Sequence, residues 1–193
     1  MEIHPLATFI QQTIPASAEK ASEIASHFEN KVYEKGEFFL KEGQFSNEYL
    51  FLASGFMRAY VRSVEGEEVT TGFYASNQVV FEVYSFFNRR SSSENIQALT
   101  TCHTFVIHYD TLNHLFHTQP AFRDFGRAVL VKGFSAYKAR MLSMITETAE
   151  ARYAQLLKTN PEIFQHAPLK YIASYLGITD SSLSRIRKEF AGK

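Results

Sequence analysis

From Val32 to about His108 the sequence is a succession of short runs rich in Phe, Tyr, Val and Leu, cut by turn signals at Lys35-Gly36, Glu42-Gly43, Ser54-Gly55 and Glu65-Gly66. Within it EYLFLA, FMRAYVRS, EVTTGFY, NIQALT and CHTFVIH show alternation or enrichment in β-branched and aromatic residues. Strands this short and this regularly spaced cannot each bury a face alone. They must close into a barrel or sandwich, and the expected architecture is a jelly roll. The less regular VVFEVYSFFNRR in the middle is expected to hold a short helix.

Helical spacing flanks this region. Pro5 and Pro15 suit the first turns of two helices before it, and Ala18, Ala21, Ile24, Ala25 and Phe28 form an apolar stripe. After it, Asp110 is the expected cap of a helix through Phe116, and Pro120 the first-turn residue of a long helix reaching about Thr146. In that helix Leu130, Phe134, Tyr137, Met141 and Met144 recur at alternating spacings of four and three, a coiled-coil seam, with Arg127, Lys132, Lys138 and Arg140 beside it. A core helix packed on its own domain has the same pattern. A chain of 193 residues has little spare core for one, which favours a partner helix in a homodimer. A further helix spans Thr148–Lys158, and Asn160-Pro161 ends it.

Charge divides the chain in the same place. Residues 1–119 carry 8 Lys+Arg against 14 Asp+Glu, whereas residues 120–193 carry 12 against 6, so the net charge of zero conceals a basic C-terminal part suited to an acidic partner. No apolar run approaches the roughly 18 residues of a membrane span. The N-terminus MEIHPLATFI lacks a basic stretch followed by an apolar core, and a cytoplasmic protein with no membrane partner is expected. Cys102 is the only cysteine, which excludes an internal disulfide, a four-cysteine iron–sulfur cluster and a cysteine-built zinc site. His114 and His117 lie one helical turn apart but lack a third ligand, and His103 and His108 point to opposite faces of a strand, so no metal is expected. No P-loop, nucleophile elbow or dinucleotide fingerprint is present, and no catalytic constellation supports an enzyme.

The segment PLKYIASYLGITDSSLSRIRKEF is the most specific. Pro168 opens a helix with Leu169, Ile172, Ala173 and Leu176 apolar. Ala173 is small where two helices cross, Gly177 can end the helix in the left-handed conformation, and Thr179 can cap the next one. Leu183 and Ile186 then face back onto the first helix. The opposite face presents Asp180, Ser181, Ser182, Ser184, Arg185 and Lys188, suited to the major groove of double-stranded DNA. Arg185 can reach guanine or a phosphate, and Lys170, Thr179 and Arg187 are placed for phosphates. This is a helix-turn-helix.

Three stretches, YEKGEFFLKEGQFSNEYLFLASGFMRAYV, ARYAQLL and YIASYLGITDSSLSRIRK, resemble in order the bacterial Crp–Fnr family of regulators. The resemblance implies an α+β chain in three parts: residues 1–118, a double-stranded β-helix (jelly roll) sensor flanked by helices; 119–146, a dimerisation helix; and 147–193, an all-α helix-turn-helix domain. It implies a transcription regulator that binds a near-palindromic site as a homodimer, with RNA polymerase as a further partner. The chain ends soon after Arg187, so the family's β-wing is expected to be absent or vestigial, and Asp180 stands where members often carry a longer base-reading side chain.

The family's phosphate cassette aligns with VVFEVYSFFNRRSSSENIQAL. Glu82 matches the ribose-binding acid, and Phe81 replaces the glycine that lets backbone approach phosphate. Ser92 and Ser93 fall on the Arg-Ser pair, Arg89 and Arg90 lie near enough to substitute, and Tyr137 matches the base-contacting position. A cyclic nucleotide that met Ser92 in place of arginine would lose charge-assisted hydrogen bonds of about 1.5–3 kcal/mol each. A cyclic-nucleotide cofactor is therefore disfavoured, and no other is indicated. The alternative reading is a cyclic-nucleotide or other small-molecule binding module whose helical tail serves protein contacts only.

Overall fold

The computed structural model describes residues 4–191. Helices α1 (Pro5–Thr13) and α2 (Ala18–Ala25) lead into β1 (Glu29–Tyr33), β2 (Phe38–Leu40), β3 (Glu48–Ser54), β4 (Met57–Arg62), β5 (Glu68–Tyr74), β6 (Gln78–Val80), α3 (Val83–Asn88), β7 (Asn95–Ala98) and β8 (Cys102–His108). The rest is helical: α4 (Tyr109–Thr118), α5 (Pro120–Thr146), α6 (Ala149–Thr159), α7 (Ile163–His166), α8 (Leu169–Leu176) and α9 (Asp180–Ala191). The strands form two antiparallel sheets ordered β1-β8-β3-β6 and β2-β7-β4-β5. Successive strands pair from the outside of the sequence inward, which is the strand order of a jelly roll.

Sheet register explains why β3 and β8 read as nearly continuous apolar runs. Leu50, Leu52 and Val106 point into the roll with Met57, Ile96 and Ala98. Tyr49, Phe51, Phe105 and Ile107 point outward, where α1, α2, α4 and the start of α5 cover them with Leu6, Ile10, Ile24, Leu112 and Phe122. These strands are buried on both faces, so alternation is lost. The helical termini of the sensor are thus the lid of its outer sheet.

Helix boundaries differ from expectation in two places, each for a capping reason. The Ser17 hydroxyl accepts from the Lys20 N–H, so α2 starts at Ala18, beyond Pro15; Ala18 itself is exposed while Ala21, Ile24, Ala25 and Phe28 are buried. The cap of α4 is His108, whose Nδ1 accepts from the Asp110 N–H, and the helix continues to Thr118. The long helix α5 runs over Pro120–Thr146, and the irregular segment holds α3. No helix among the described residues is long and apolar enough to cross a membrane.

The third apolar cluster joins the C-terminal helices to the roll. Tyr153, Leu156, Ile163, Ile172, Leu183 and Ile186 pack with Phe56 and Ala75, residues that follow β3 and β5. The family's β-wing, expected to be absent or vestigial, would lie beyond Ala191, outside the described residues.

Candidate functional site

The turn between α8 and α9 is built by local chemistry. Gly177 adopts φ 68°, and the N–H of Ile178 donates to the Ala173 carbonyl, so the helix ends in a left-handed cap that turns the chain. The Thr179 hydroxyl accepts from the Ser182 N–H at 3.2 Å and starts α9. Ala173, Leu183 and Ile186 are buried where the helices cross. Their burial fixes the roll of α9 about its axis. Asp180, Ser181, Ser184, Arg185, Arg187 and Lys188 are exposed, as is Lys170 on α8; Ser182 is half-buried. The hydroxyls of Ser181 and Ser182 both lie within hydrogen-bond reach of Thr179 Oγ1, at 2.9 and 3.0 Å, and must rotate away to meet a base.

The sequence did not disclose how this module sits on the roll. Arg58, the second residue of β4, has 0% of its surface exposed. Its Nε donates to the Thr70 hydroxyl at 2.9 Å and its Nη1 to the Glu68 carboxylate at 2.6 Å. Its guanidinium lies 3.4 Å from the ring centre of Tyr171 on α8 and 4.4 Å from that of Tyr60. Nη2 has no hydrogen-bond partner, an orphan that the two aromatic faces offset in part. Beside it, the Thr70 N–H donates to Ser174 Oγ at 2.8 Å, and the Ser174 hydroxyl donates to the Glu68 carbonyl at 3.3 Å. A buried arginine within an apolar strand, FMRAYV, was the one available signal.

The end of α5 holds the module from its other side. Arg140, expected at the wet edge of the seam, stacks on Tyr175 at 4.1 Å and donates to the Tyr175 carbonyl at 2.9 Å. Arg152 donates to the Leu176 carbonyl and to the Glu147 carbonyl, satisfying acceptors at two helix ends. A Cβ on Gly177 would lie 2.5 Å from Met144 Cε, so Met144 of the expected seam packs on the turn instead. Tyr137 likewise turns toward the roll and interacts with Tyr74. Tyr137 and Met144 nonetheless stay partly open, so all five residues of the expected seam, Leu130, Phe134, Tyr137, Met141 and Met144, are exposed, and Val131, Leu142 and Ile145 widen the stripe.

In the cassette, the expected ligand groups are committed elsewhere. Glu82 accepts from the N–H groups of Tyr84 and Ser85, at 2.9 and 2.6 Å, and caps α3. Ser92 is buried, accepting from the Glu94 N–H and donating to the Glu94 carbonyl; Ser93 is exposed. Phe81 packs against Tyr49, Phe86 and Phe87. Arg89 is drawn away from the cassette onto the Ser46 carbonyl and Asn47 Oδ1, and stacks on Tyr109; Arg90 is exposed and reaches the Tyr84 hydroxyl at 3.5 Å. Glu94 lies on the inner side, where burial and the nearby Glu82 charge push its carboxyl above the usual carboxylate range. Burial also raises Tyr74 well above the ordinary phenol value, and raises Tyr137. Glu82, Glu94, Tyr74 and Tyr137 thus form an interior that is acidic and hydroxyl-lined.

No group of three His, Cys, Asp or Glu among the described residues is placed to hold a metal ion. His114 and His117 are exposed on α4.

The comparisons agree with this geometry. Residues 30–119 match the cyclic nucleotide-binding domain. The chain is 23% identical over 171 residues to electron transport regulator A of Shewanella oneidensis, covering 83% of this chain and 68% of that protein. It is 24% identical over 172 residues to the fumarate and nitrate reduction regulatory protein of Yersinia pestis, again covering 83% and 68%. Among solved structures, FixK2 from Bradyrhizobium japonicum superposes with a TM-score of 0.74 at 16% identity, covering 86% of this chain and 85% of that one, a likeness of fold. These relatives are regulators rather than enzymes. The roll, the order of its attached helices and the aligned relatives together make the chain similar to the transcriptional regulators of the Crp–Fnr type.

Proposed function

We propose that the chain is a sequence-specific DNA-binding regulator that acts as a homodimer through residues 119–146 and recognises a near-palindromic site. The observation that carries this reading is the fixed roll of α9: Leu183 and Ile186 are buried, which leaves Ser184, Arg185 and Lys188 on one exposed face. Such a face enters the major groove with Asp180 and Ser181 leading, and Asp180 suits the exocyclic amine of cytosine. Lys170, Arg187 and Lys188 supply phosphate contacts, which position the duplex and make affinity fall with salt. The outward apolar stripe on α5 supports dimerisation, because Phe134 at 71% and Met141 at 53% exposure are costly to leave in water.

Cyclic AMP is disfavoured as the effector. Glu82 and Ser92 already hold backbone groups, Phe81 fills the glycine position, and Glu94 would face the phosphate with like charge. Fluorescence anisotropy on sites selected from a random DNA pool, with and without cyclic AMP, tests both points. The expected result is binding that weakens steeply with salt and is unchanged by cyclic AMP. A tenfold shift on adding cyclic AMP, about 1.4 kcal/mol of coupling, would overturn the effector reading.

A further inference from the structure

The roll has an open end where β3 begins and β8 finishes. Leu50 and Leu52 point inward, and Glu48, two residues earlier on the same strand, continues that face at the rim. Glu48 pairs across the sheet with His108, so both side chains leave the sheet on one side. The segment joining β2 to β3 folds over this end and leaves a cavity of about 530 Å³ beside Glu48 and His108. None of Thr71, Tyr74, Glu82, Glu94 and Tyr137 lines it, and no residue of α5 or of the C-terminal helices does.

Backbone bonds hold the covering segment in place. The Gly43 N–H donates to the Ser92 carbonyl, and the Gln44 carbonyl accepts from the Ser92 N–H. The Ser46 N–H donates to Ser85 Oγ, and the Ser46 and Asn47 carbonyls accept from Arg89 and from the Tyr109 N–H. A site carried on a segment fixed in this way is formed before any ligand arrives, which lowers the entropic cost of binding.

Its side chains are a matched set of unspent polar groups. Ser46 is 2% exposed, yet its hydroxyl has no hydrogen-bond partner. Gln44 Oε1 accepts from the Lys41 N–H and Asn47 Oδ1 from Arg89, which leaves both amide nitrogens as donors to the cavity. His108 Nδ1 accepts from the Asp110 N–H, which leaves Nε2. The Glu48 carboxylate is already neutralised, since Lys31 Nζ lies 2.9 and 3.0 Å from its oxygens and the Tyr33 hydroxyl donates to it at 3.3 Å. An ionic ligand therefore finds no unpaired opposite charge on Glu48. The remaining walls are apolar: Phe39, Leu40 and Phe45, the last 50% exposed. Apolar walls with a few placed polar groups, at this volume, are the make-up of a small-molecule site.

We propose that this cavity binds a neutral carbohydrate, a pyranose whose C–H face lies on the Phe45 ring. Its hydroxyls accept from Gln44, Asn47 and His108 and exchange a hydrogen bond with Ser46. A purely apolar ligand would leave those donors unpaired, and hydroxyls at several ring positions are what satisfies them together.

NMR titration of the full chain with glucose, galactose, mannose and maltose tests the site. Cyclohexanol, a six-membered ring with one hydroxyl, serves as the comparison. At least one sugar is expected to bind saturably, at least tenfold tighter than cyclohexanol, and to shift the side-chain amide signals of Gln44 and Asn47. Phe45→Ala, at an exposed position, is expected to fold and to lose at least tenfold in affinity. Ser46→Ala should weaken binding while the melting temperature holds or rises, because the hydroxyl it removes has no partner in the free protein. A purely structural Ser46 would instead lower the melting temperature and leave affinity unchanged. Absence of saturable binding by all of these sugars through the millimolar range, equal binding of cyclohexanol, or undiminished binding by a folded Phe45→Ala would each overturn the proposal. DNA binding is untouched by any of these results, since no residue of α8 or α9 lines the cavity.

Discussion

Gly177 does two jobs that no other residue can combine. Its φ of 68° lies where a side chain costs about 1–2 kcal/mol, and the space beside it is filled by Met144. Gly177→Ala is therefore expected to destabilise the protein by roughly 2 kcal/mol, read as a lower melting temperature. Met144→Ala in the same background should recover part of the loss. Glu94 makes the opposite kind of prediction. Because burial raises its carboxyl pKa in the fold, the ionised form is disfavoured there: stability is greatest below the unfolded carboxylate pKa and declines as pH rises through the folded one. Glu94→Gln should thus raise the melting temperature at neutral pH, with the gain shrinking toward pH 4. A constant gain across that range would mean the effect is not ionisation. Arg58 is held by bonds to Glu68 and Thr70 and by the Tyr171 face. Truncation to alanine is expected to cost about 2–4 kcal/mol, below the full cost of breaking a buried pair because Glu68 is 31% exposed.

Among the elements, the helix-turn-helix was the most legible, because its rules are local. A small residue at the crossing, a glycine that must turn and a threonine that must cap act within a dozen residues, and Ala173, Gly177 and Thr179 stand where those rules put them. The roll was legible as a class for a related reason: short alternating runs can only close on themselves. The seam on α5 was legible as a period, and Leu130, Phe134, Tyr137, Met141 and Met144 all remain exposed, but the further contacts of Tyr137 with Tyr74 and of Met144 beside Gly177 were not legible. Contacts this distant in sequence leave no periodic trace. The same holds for the cassette, where the identities of Glu82, Ser92 and Arg89 could be read but not the backbone groups that occupy them. The exposed stripe makes its own prediction. Phe134→Glu with Met141→Glu, both exposed, should leave the fold intact and shift sedimentation from dimer to monomer. A double variant that remained dimeric would move the interface elsewhere.

At the scale of the whole molecule, the roll, α5 and the helix-turn-helix share core rather than merely touch. Phe56 and Ala75 of the sensor lie in the cluster that holds Ile172 and Leu183, and Arg58, Arg140 and Arg152 tie α8 to its surroundings. The roll and α8 are therefore joined through packed contacts, and α9 keeps its polar face outward while α8 is anchored. The account stands on two such helices, held by one α5 pair, meeting successive major grooves about 34 Å apart. The direct test is to select bound duplexes from a random pool and to measure anisotropy of the winning site across a salt series, for the native chain and for Arg185→Ala. The account predicts two inverted half-sites about one helical turn apart, affinity that falls steeply with salt, and a loss on Arg185→Ala of about 1–3 kcal/mol. A chain that enriched no sequence and bound no duplex even at low salt would contradict it.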